Sequence, residues 1–157
     1  MGWVKSPKEA AMPNQGPISD TGEQRIVVGT DGSPCASRAV DFAAHEAARR
    51  DALLHIVSVY EDLPATGCVV YPLGLNEMSA NAAVSTAMSR AEELEPSIVT
   101  KGEAMLDGAG HGLTKASKGA TALVVGTRGH NQMAGLLVGS VSEYVLHHAS
   151  CPTIVVR

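Results

Sequence analysis

The chain has 157 residues, of which 45% are hydrophobic and 18% charged, and its formal net charge is −4. This length and apolar content are typical of one globular domain with a buried core. The acidic balance and the 3% of aromatic residues argue against a nucleic-acid surface or an anionic membrane surface, which need clustered cations or stacking platforms. No apolar run approaches the roughly 20 residues that span a bilayer.

The cysteines exclude two further classes of protein. Cys35, Cys68 and Cys151 are scattered, odd in number and form no C-x-x-C pair. We therefore expect neither a zinc cluster nor a disulfide framework, and no metal site built from side chains alone. Because the sequence lacks a charged-then-apolar leader pattern, the expected location is cytoplasmic.

The first 24 residues differ in character from the rest of the chain. They are rich in Pro, Gly, Asn, Gln and Ser and show no apolar period, which predicts a disordered tail over residues 1–24 and a folded domain over residues 25–157.

Within the domain, strand patterns alternate with helix patterns. Ile26–Val28 is typical of a strand buried on both faces, and Ser33 followed by Pro34 predicts a helix start, with the helix running to about Arg50. The later predictions are, in order, a strand at 53–60, a long loop at 61–77, a helix ending before Pro96, a strand within 98–106, a short helix within 107–118, a strand at 122–125, a helix at 140–149 and a strand at 153–156. Five alternations indicate an α/β fold, a five-stranded parallel sheet with helices on both faces.

Glycines mark the segment between the fourth strand and the last helix. Gly126-x-x-Gly129 follows the strand, and nine residues later Gly139-Ser140 leads into the helix. A helix N-terminus offers unpaired N–H groups and a partial positive charge, and glycine lets an anion approach the backbone. The segment therefore suits a phosphate group, with Arg128 as a cation and Ser140 and Ser142 as hydroxyl donors.

The same residues have a plainer interpretation. Ser140 and Glu143 fit a capping box, in which both side chains satisfy the helix's own N–H groups. Gly126 and Gly129 could then be ordinary turn glycines, and Arg128 a solvated loop cation. Spacing alone leaves the two interpretations about equal.

The glycine spacing resembles the nucleotide-binding signature of the universal stress protein family at all four fixed positions. The likeness extends from about Arg25 to Arg157. It implies a Rossmann-like fold of the adenine nucleotide alpha hydrolase-like type, an ATP-binding kind of member and, partly on its authority, the strand order 3-2-1-4-5. In that order the first and fourth strands are neighbours at the switch point, where ligands bind in such sheets. Asp31, at the end of the first strand, and Gly126, at the end of the fourth, should meet there.

The resemblance also assigns roles to residues. Gly126, Gly129, Gly139 and Ser140 would hold the phosphates with help from the N–H groups of Val141 and Ser142, while Arg128 fills a variable position. Asp31 matches the acidic residue of the pocket and could bind ribose hydroxyls or a Mg²⁺ bridging the phosphates, although an Asx-turn role is common for such a residue. Ile56 would contact adenine through its backbone, and Thr30 would help to line the pocket around the base.

The last strand, made of Thr153, Ile154, Val155 and Val156, should lie at a sheet edge. An open apolar edge invites aggregation, so we expect a partner to cover it. Family members commonly dimerise through this strand, which predicts a homodimer.

The leading hypothesis for function is an ATP-binding universal stress protein in which the nucleotide is a regulatory ligand. No general base is evident beside the expected γ-phosphate position, so hydrolysis should be slow at most, and whether the protein is an enzyme stays open. The alternatives are a member that prefers AMP or cyclic AMP, or a nucleotide-free scaffold that acts through protein partners. An adenylate-forming enzyme is disfavoured because Thr30–Pro34 departs from the S-G-G-x-D-S motif of that group.

Overall fold

The computed structural model describes residues 24–61, 75–128 and 138–157. The predicted tail, apart from Gln24, most of the predicted loop at 61–77, and the signature residue Gly129 lie outside these ranges.

Nine elements alternate along the described chain. They are β1 (Arg25–Gly29), α1 (Pro34–Arg50), β2 (Leu53–Tyr60), α2 (Leu75–Leu94), β3 (Thr100–Leu106), α3 (Ala109–Ala116), β4 (Ala122–Gly126), α4 (Ser140–His148) and β5 (Thr153–Val156). Each corresponds to a predicted element. The main difference is at α2, which begins at Leu75, two residues before the predicted end of the preceding loop.

The strands form one parallel sheet in the order β3-β2-β1-β4-β5, which confirms the predicted topology. β1 therefore lies between β2 and β4. All five of its residues are buried, and its three central residues, Ile26–Val28, are β-branched, as expected for a strand in the middle of a parallel sheet. The winding reverses between β1 and β4, so the loops after these two strands leave the sheet at the same edge.

The core has two layers, one on each face of the sheet. On one face, Ile26, Val28 and Val124 pack beneath α1 and α2, whose many alanines allow a close approach. On the other face, Leu123 and Val125 pack beneath α3 and α4. Alternate residues of one strand thus point into opposite core layers, because side chains along a strand alternate between its two faces.

The helix starts show one correct prediction and one error. Ser33 caps α1, since its Oγ accepts the Ala36 N–H at 3.2 Å and Pro34 is the first helical residue. Ser140 does not cap α4. The N-cap is Gly139, which makes no side-chain capping bond, so the capping-box interpretation of Ser140 and Glu143 is wrong.

No helix in the described ranges is long and apolar enough to cross a bilayer.

Candidate functional site

A cleft of about 730 Å³ opens at the carboxyl ends of the strands, above the switch point between β1 and β4. Its walls come from the turn after β1, the end of β2, one side of α2, the start of α3 and the segment from β4 into α4. The volume lies within the range of small-molecule sites. The cleft lies at the crevice expected from the predicted strand order.

Most of the predicted site residues converge on this cleft. The ones that line it are Thr30, Asp31, Gly126, Arg128, Gly139, Ser140, Val141 and Ser142. The remaining two are Ile56, which does not line it, and Gly129, which lies outside the described residues.

Ile56 is fully buried in the α1/α2 layer of the core, beside Val28 on β1. The β2 residues that line the cleft are Val57–Tyr60. The Val57 carbonyl also accepts the Thr30 N–H at 2.9 Å, which fastens the turn after β1 to β2. The position assigned by the resemblance is therefore one residue short of the cleft wall.

Asp31 lies in a tight turn two residues beyond β1, which ends at Gly29 and not at Asp31. Its Oδ1 accepts the Ser33 N–H at 2.9 Å, so the Asx-turn interpretation is confirmed. Gly32 follows with φ +78°, a conformation that favours glycine. This turn role and a ligand role are compatible, because a carboxylate has several acceptor positions and Asp31 lines the cleft.

The N-terminus of α4 faces the cleft. The first bond of the helix runs from the Glu143 N–H to the Gly139 carbonyl at 2.9 Å, so the N–H groups of Ser140, Val141 and Ser142 precede the helical bonding pattern. All three residues line the cleft. Glu143 is exposed and is not among the lining residues, so its carboxylate does not face this end of the cleft. The arrangement is suited to an anion.

Backbone and side-chain bonds hold the end of β4 against the start of α4. The Thr127 carbonyl accepts the Gly139 N–H at 2.7 Å and the Ser142 hydroxyl at 3.1 Å. The same hydroxyl lies 2.9 Å from the Gly139 carbonyl. Thr127 was not predicted from the sequence, and its place directly after a buried strand is the only local sign of a role.

The two described signature glycines serve packing in a way that the sequence did not indicate. A Cβ on Gly126 would lie 2.9 Å from both the carbonyl carbon and the carbonyl oxygen of Cys35, in the first turn of α1. A Cβ on Gly139 would lie 3.1 Å from the Thr127 carbonyl oxygen. Gly126 therefore also allows β4 to approach α1 closely, because a Cβ there would meet the protein's own backbone.

Arg128 is the cation of this end of the cleft. Its guanidinium makes no ion pair or hydrogen bond with other residues in the described part of the chain, and its side chain is half-buried. Arg25, Arg50 and Arg90 each bond to protein acceptors. Arg128 is thus a charge available to a bound anion.

Comparison with known proteins gives the family. The family model described as "Universal stress protein family" matches residues 23–157. The chain belongs to this family. A universal stress protein of Mycobacterium tuberculosis is 30% identical over 140 residues, which cover 89% of this chain and 48% of that protein. The chain thus spans about half the length of the first curated relatives it matches.

Solved universal stress proteins share the fold. One, determined in complex with cAMP, has a TM-score of 0.68 and 28% identity and covers 85% of this chain and 97% of its own. Another, from Archaeoglobus fulgidus, has a TM-score of 0.68 and 25% identity and covers 85% and 98%.

In this family member, α2 contributes a wall that the sequence did not reveal. Asn76, Ser79, Ala80 and Ala83 line the cleft, and the Asn76 side-chain amide donates to the Glu61 carbonyl at 2.8 Å. The spacing of Ser79/Ala80 and Ala83 places small residues on one helical face, which could have indicated a close neighbour. It could not show that this neighbour is a cleft.

His55 belongs to the core and does not line the cleft. Its exposure is 1%, and its ring bonds on both sides, to Arg25 Nη1 at 3.2 Å through Nδ1 and to Glu103 Oε2 at 3.0 Å through Nε2. Because the guanidinium can only donate, Nδ1 accepts and Nε2–H donates, which is a neutral ring. Burial lowers the pKa of His55 to about 4, Glu103 acts in the opposite direction, and Arg25 and Lys101 add to the lowering.

Metal-binding side chains are sparse in the described ranges, which contain no group of three or more His, Cys, Asp or Glu residues able to hold an ion. His147 and His148 are neighbours on α4, and the His148 Nδ1 bonds to the Tyr144 carbonyl at 2.8 Å. A metal in the cleft would therefore depend on ligand atoms beyond those of the described side chains.

Proposed function

We propose that this universal stress protein binds an adenine nucleotide, ATP, in the cleft, and that the nucleotide acts as a regulatory ligand that stabilises one state of the protein. One observation supports the proposal above all. The N–H groups at the start of α4 and the cation Arg128 line the same cleft as Asp31, which comes from a turn about a hundred residues earlier.

The α4 end of the cleft suits the phosphates. Backbone N–H groups of Ser140, Val141 and Ser142 lie at a helix N-terminus, where the helix dipole favours an anion. Arg128 adds a full positive charge with several donors. Within the cleft, these donors are concentrated at one end, so the phosphates would have a defined place.

The other parts of the cleft suit the nucleoside. Asp31 offers carboxylate oxygens to ribose hydroxyls. Val57, Ala80 and Ala83 provide apolar surface for a flat base, and small side chains on α2 leave room for it. A related structure at 28% identity was solved with cAMP, which supports an adenine nucleotide as the class of ligand.

Mg²⁺ would arrive with the phosphates. The described side chains supply no metal cluster of their own, so phosphate oxygens would provide much of its coordination, with the Asp31 carboxylate as a further ligand. Bound to a triphosphate, the ion would neutralise charge that Arg128 alone does not balance. We propose slow hydrolysis at most for this site.

Released ligand gives the direct test. The protein is purified, denatured, and the supernatant analysed by mass spectrometry, and the emptied, refolded protein is titrated by calorimetry with ATP, AMP, cAMP and adenosine, with and without Mg²⁺. We expect an adenine nucleotide near one per chain, binding after refolding, and recovery of ATP largely intact. A protein that carries no nucleotide and ignores all four ligands contradicts the proposal and favours a scaffold acting through protein partners.

Substitution of Arg128 sharpens this test. Arg128→Ala should weaken ATP by roughly tenfold or more, since a hydrogen bond to a charged group contributes about 1.5–3 kcal/mol, while leaving adenosine unchanged. Arg49→Ala removes an exposed arginine on α1, away from the cleft, and should leave both affinities unchanged. Equal ATP affinity in the two variants would make Arg128 a solvated loop cation.

We also propose that two copies associate along β5. This strand is an edge of the sheet and pairs with β4 alone among the described strands. Phe42 on α1 is 39% exposed, and Arg38, one turn earlier on α1, bonds to the Arg157 carbonyl just beyond β5 at 2.9 Å. An exposed aromatic ring therefore borders the open edge, which favours a partner there.

A further inference from the structure

The end of β4 and the start of α4 form the proposed phosphate end of the cleft, and the Thr127 carbonyl is hydrogen-bonded between them. Thr127 follows β4, whereas Gly139 and Ser142 belong to the start of α4. The Thr127 carbonyl accepts both the Gly139 N–H, at 2.7 Å, and the Ser142 hydroxyl, at 3.1 Å. The position of the α4 N-terminus relative to Arg128 therefore depends on these two bonds.

The joining carbonyl is itself fixed to the sheet. The Thr127 N–H donates to the Val156 carbonyl at 2.8 Å, and Thr127 is buried. Ser142 has an exposure of 2%, so its bond is shielded from water. A shielded hydroxyl bonded to an anchored carbonyl sets a fixed spacing between the two segments.

We infer that Ser142 is a positioning residue, whose hydroxyl holds the start of α4 at the spacing that lets Arg128 and the N–H groups of Ser140 and Val141 reach one anion. The inference rests on the proposed nucleotide binding and revises the role predicted for this side chain. A serine has one O–H, and that of Ser142 lies within hydrogen-bonding distance of two protein carbonyls. A phosphate could take it only by breaking these bonds. Ser140, which is exposed, has the hydroxyl better placed for a ligand.

The test compares two buried serines. Ser142→Ala removes the proposed spacer. Ser117→Ala is the matched control, because Ser117 is also fully buried and donates to a backbone carbonyl, that of Thr114, at 2.7 Å, but does not line the cleft. Titration with ATP and adenosine gives the ratio of the two dissociation constants, a measure of phosphate preference that a loss of global stability does not alter.

We expect Ser142→Ala to lower this phosphate preference by roughly tenfold, the scale of one hydrogen bond, while adenosine affinity stays the same. Ser117→Ala should keep the wild-type ratio. Ser142→Thr retains a hydroxyl that can donate to the Thr127 carbonyl and should keep most of the preference. If the alanine variant does not fold, the threonine variant carries the test, and a folded Ser142→Thr protein that lacks phosphate preference contradicts the inference.

A spectroscopic measurement separates positioning from direct contact with phosphate. The Arg128 amide shares its peptide group with the Thr127 carbonyl, so its ¹⁵N chemical shift reports the hydrogen bonds to that carbonyl. Positioning predicts that wild type and Ser142→Ala differ at Arg128 both without and with bound ATP. A difference that disappears when ATP is bound would mean that the hydroxyl moves to the phosphate, and would overturn the inference.

An unchanged ratio in Ser142→Ala overturns the inference alone, because nucleotide binding would be intact. A wild-type protein that binds neither ATP nor adenosine overturns the proposed function and this inference with it. The two failures are thus distinguishable in the same titrations.

Discussion

At the scale of single residues, the described parts of the glycine signature combine ligand geometry with packing. Gly139 leads into α4 with φ −80°, which any residue can adopt, so its requirement is close contact with Thr127 and not an unusual backbone angle. Gly126 brings the end of β4 against the first turn of α1. The glycines predicted to bind phosphate therefore also allow close packing between β4, α1 and the start of α4.

Gly126→Ala should destabilise the protein. The added Cβ would lie 2.9 Å from the Cys35 carbonyl group, and backbone cannot yield as a flexible side chain can. The expected loss in free energy of unfolding is about 1 to 3 kcal/mol, as for overpacked cores, measured by urea denaturation. Gly108→Ala is the matched control, because its Cβ would meet only Glu61 Oε1 at 3.7 Å. A Gly126→Ala protein as stable as this control would contradict the packing role.

At the scale of secondary-structure elements, a row of polar side chains links three neighbouring strands, with Arg25 and His55 buried and Glu103 partly exposed. It runs from Arg25 on β1 through His55 on β2 to Glu103 on β3, and Arg25 also donates to the Lys118 carbonyl at 2.6 Å. Lys101 on β3 and Cys151 before β5 are the other titratable groups that act on this row. A neutral ring between a guanidinium and a carboxylate satisfies both, whereas a protonated ring would oppose Arg25.

This row predicts acid sensitivity. Since the pKa of His55 falls from 6.5 to about 4 on folding, the unfolded chain binds the extra proton between these values, and stability decreases as pH falls from 6.5 towards 4. Between pH 7 and pH 4.5 the loss from this group should be on the order of 2 kcal/mol, measured by urea denaturation at both values.

The His55→Gln variant is compared with wild type, because the glutamine amide can accept a hydrogen bond from Arg25 and donate one to Glu103 without titrating. His55→Gln should lose less stability than wild type over the same pH interval. His147→Gln removes an exposed imidazole on α4 and should behave as wild type does. An identical pH dependence in wild type and His55→Gln would exclude this ring as the cause.

At the scale of the whole molecule, the sheet has two edges, β3 and β5, that differ in their surroundings. The Pro152 carbonyl accepts from Leu123 on β4, and the Val156 carbonyl accepts from Thr127 just after β4. The backbone groups of even-numbered β5 residues therefore point towards β4, and the Val155 N–H points outward. On β3, the Val99 carbonyl and the Asp107 N–H bond to β2, so the Ala104 N–H faces outward. These outward groups are what a second copy would pair with.

Proline substitutions at the two edges test which edge pairs with a second copy. Val155→Pro removes an outward N–H of β5 while the bonds to β4 persist, and Ala104→Pro does the same on β3. If copies associate along β5, Val155→Pro should shift the protein from dimer to monomer in light scattering after size-exclusion chromatography, and Ala104→Pro should leave a dimer. A monomeric wild type, or a dimer that survives Val155→Pro but not Ala104→Pro, would contradict the proposed interface.

Local sequence patterns were enough to predict the elements, the layering of the sheet and the edge at which the cleft lies. Apolar period, β-branched runs such as Ile26–Val28 and the Ser33-Pro34 helix start are local signals, and they are strong because each depends on a few adjacent residues. The strand order rested partly on a family resemblance. The glycine spacing, with that resemblance, named residues of which most line the cleft.

The contacts of several of those residues became visible with the tertiary structure. It placed Ile56 in the core and Val57–Tyr60 on the cleft wall, set Gly126 against α1, made α2 a wall, and joined Thr127 to Ser142. Each of these facts is a contact between segments 15 to more than 90 residues apart in the chain. Such contacts depend on how elements dock and in which register, and a one-residue shift changes the face a side chain presents. Local sequence patterns do not specify how the elements dock, because the same strand and helix signals fit several arrangements.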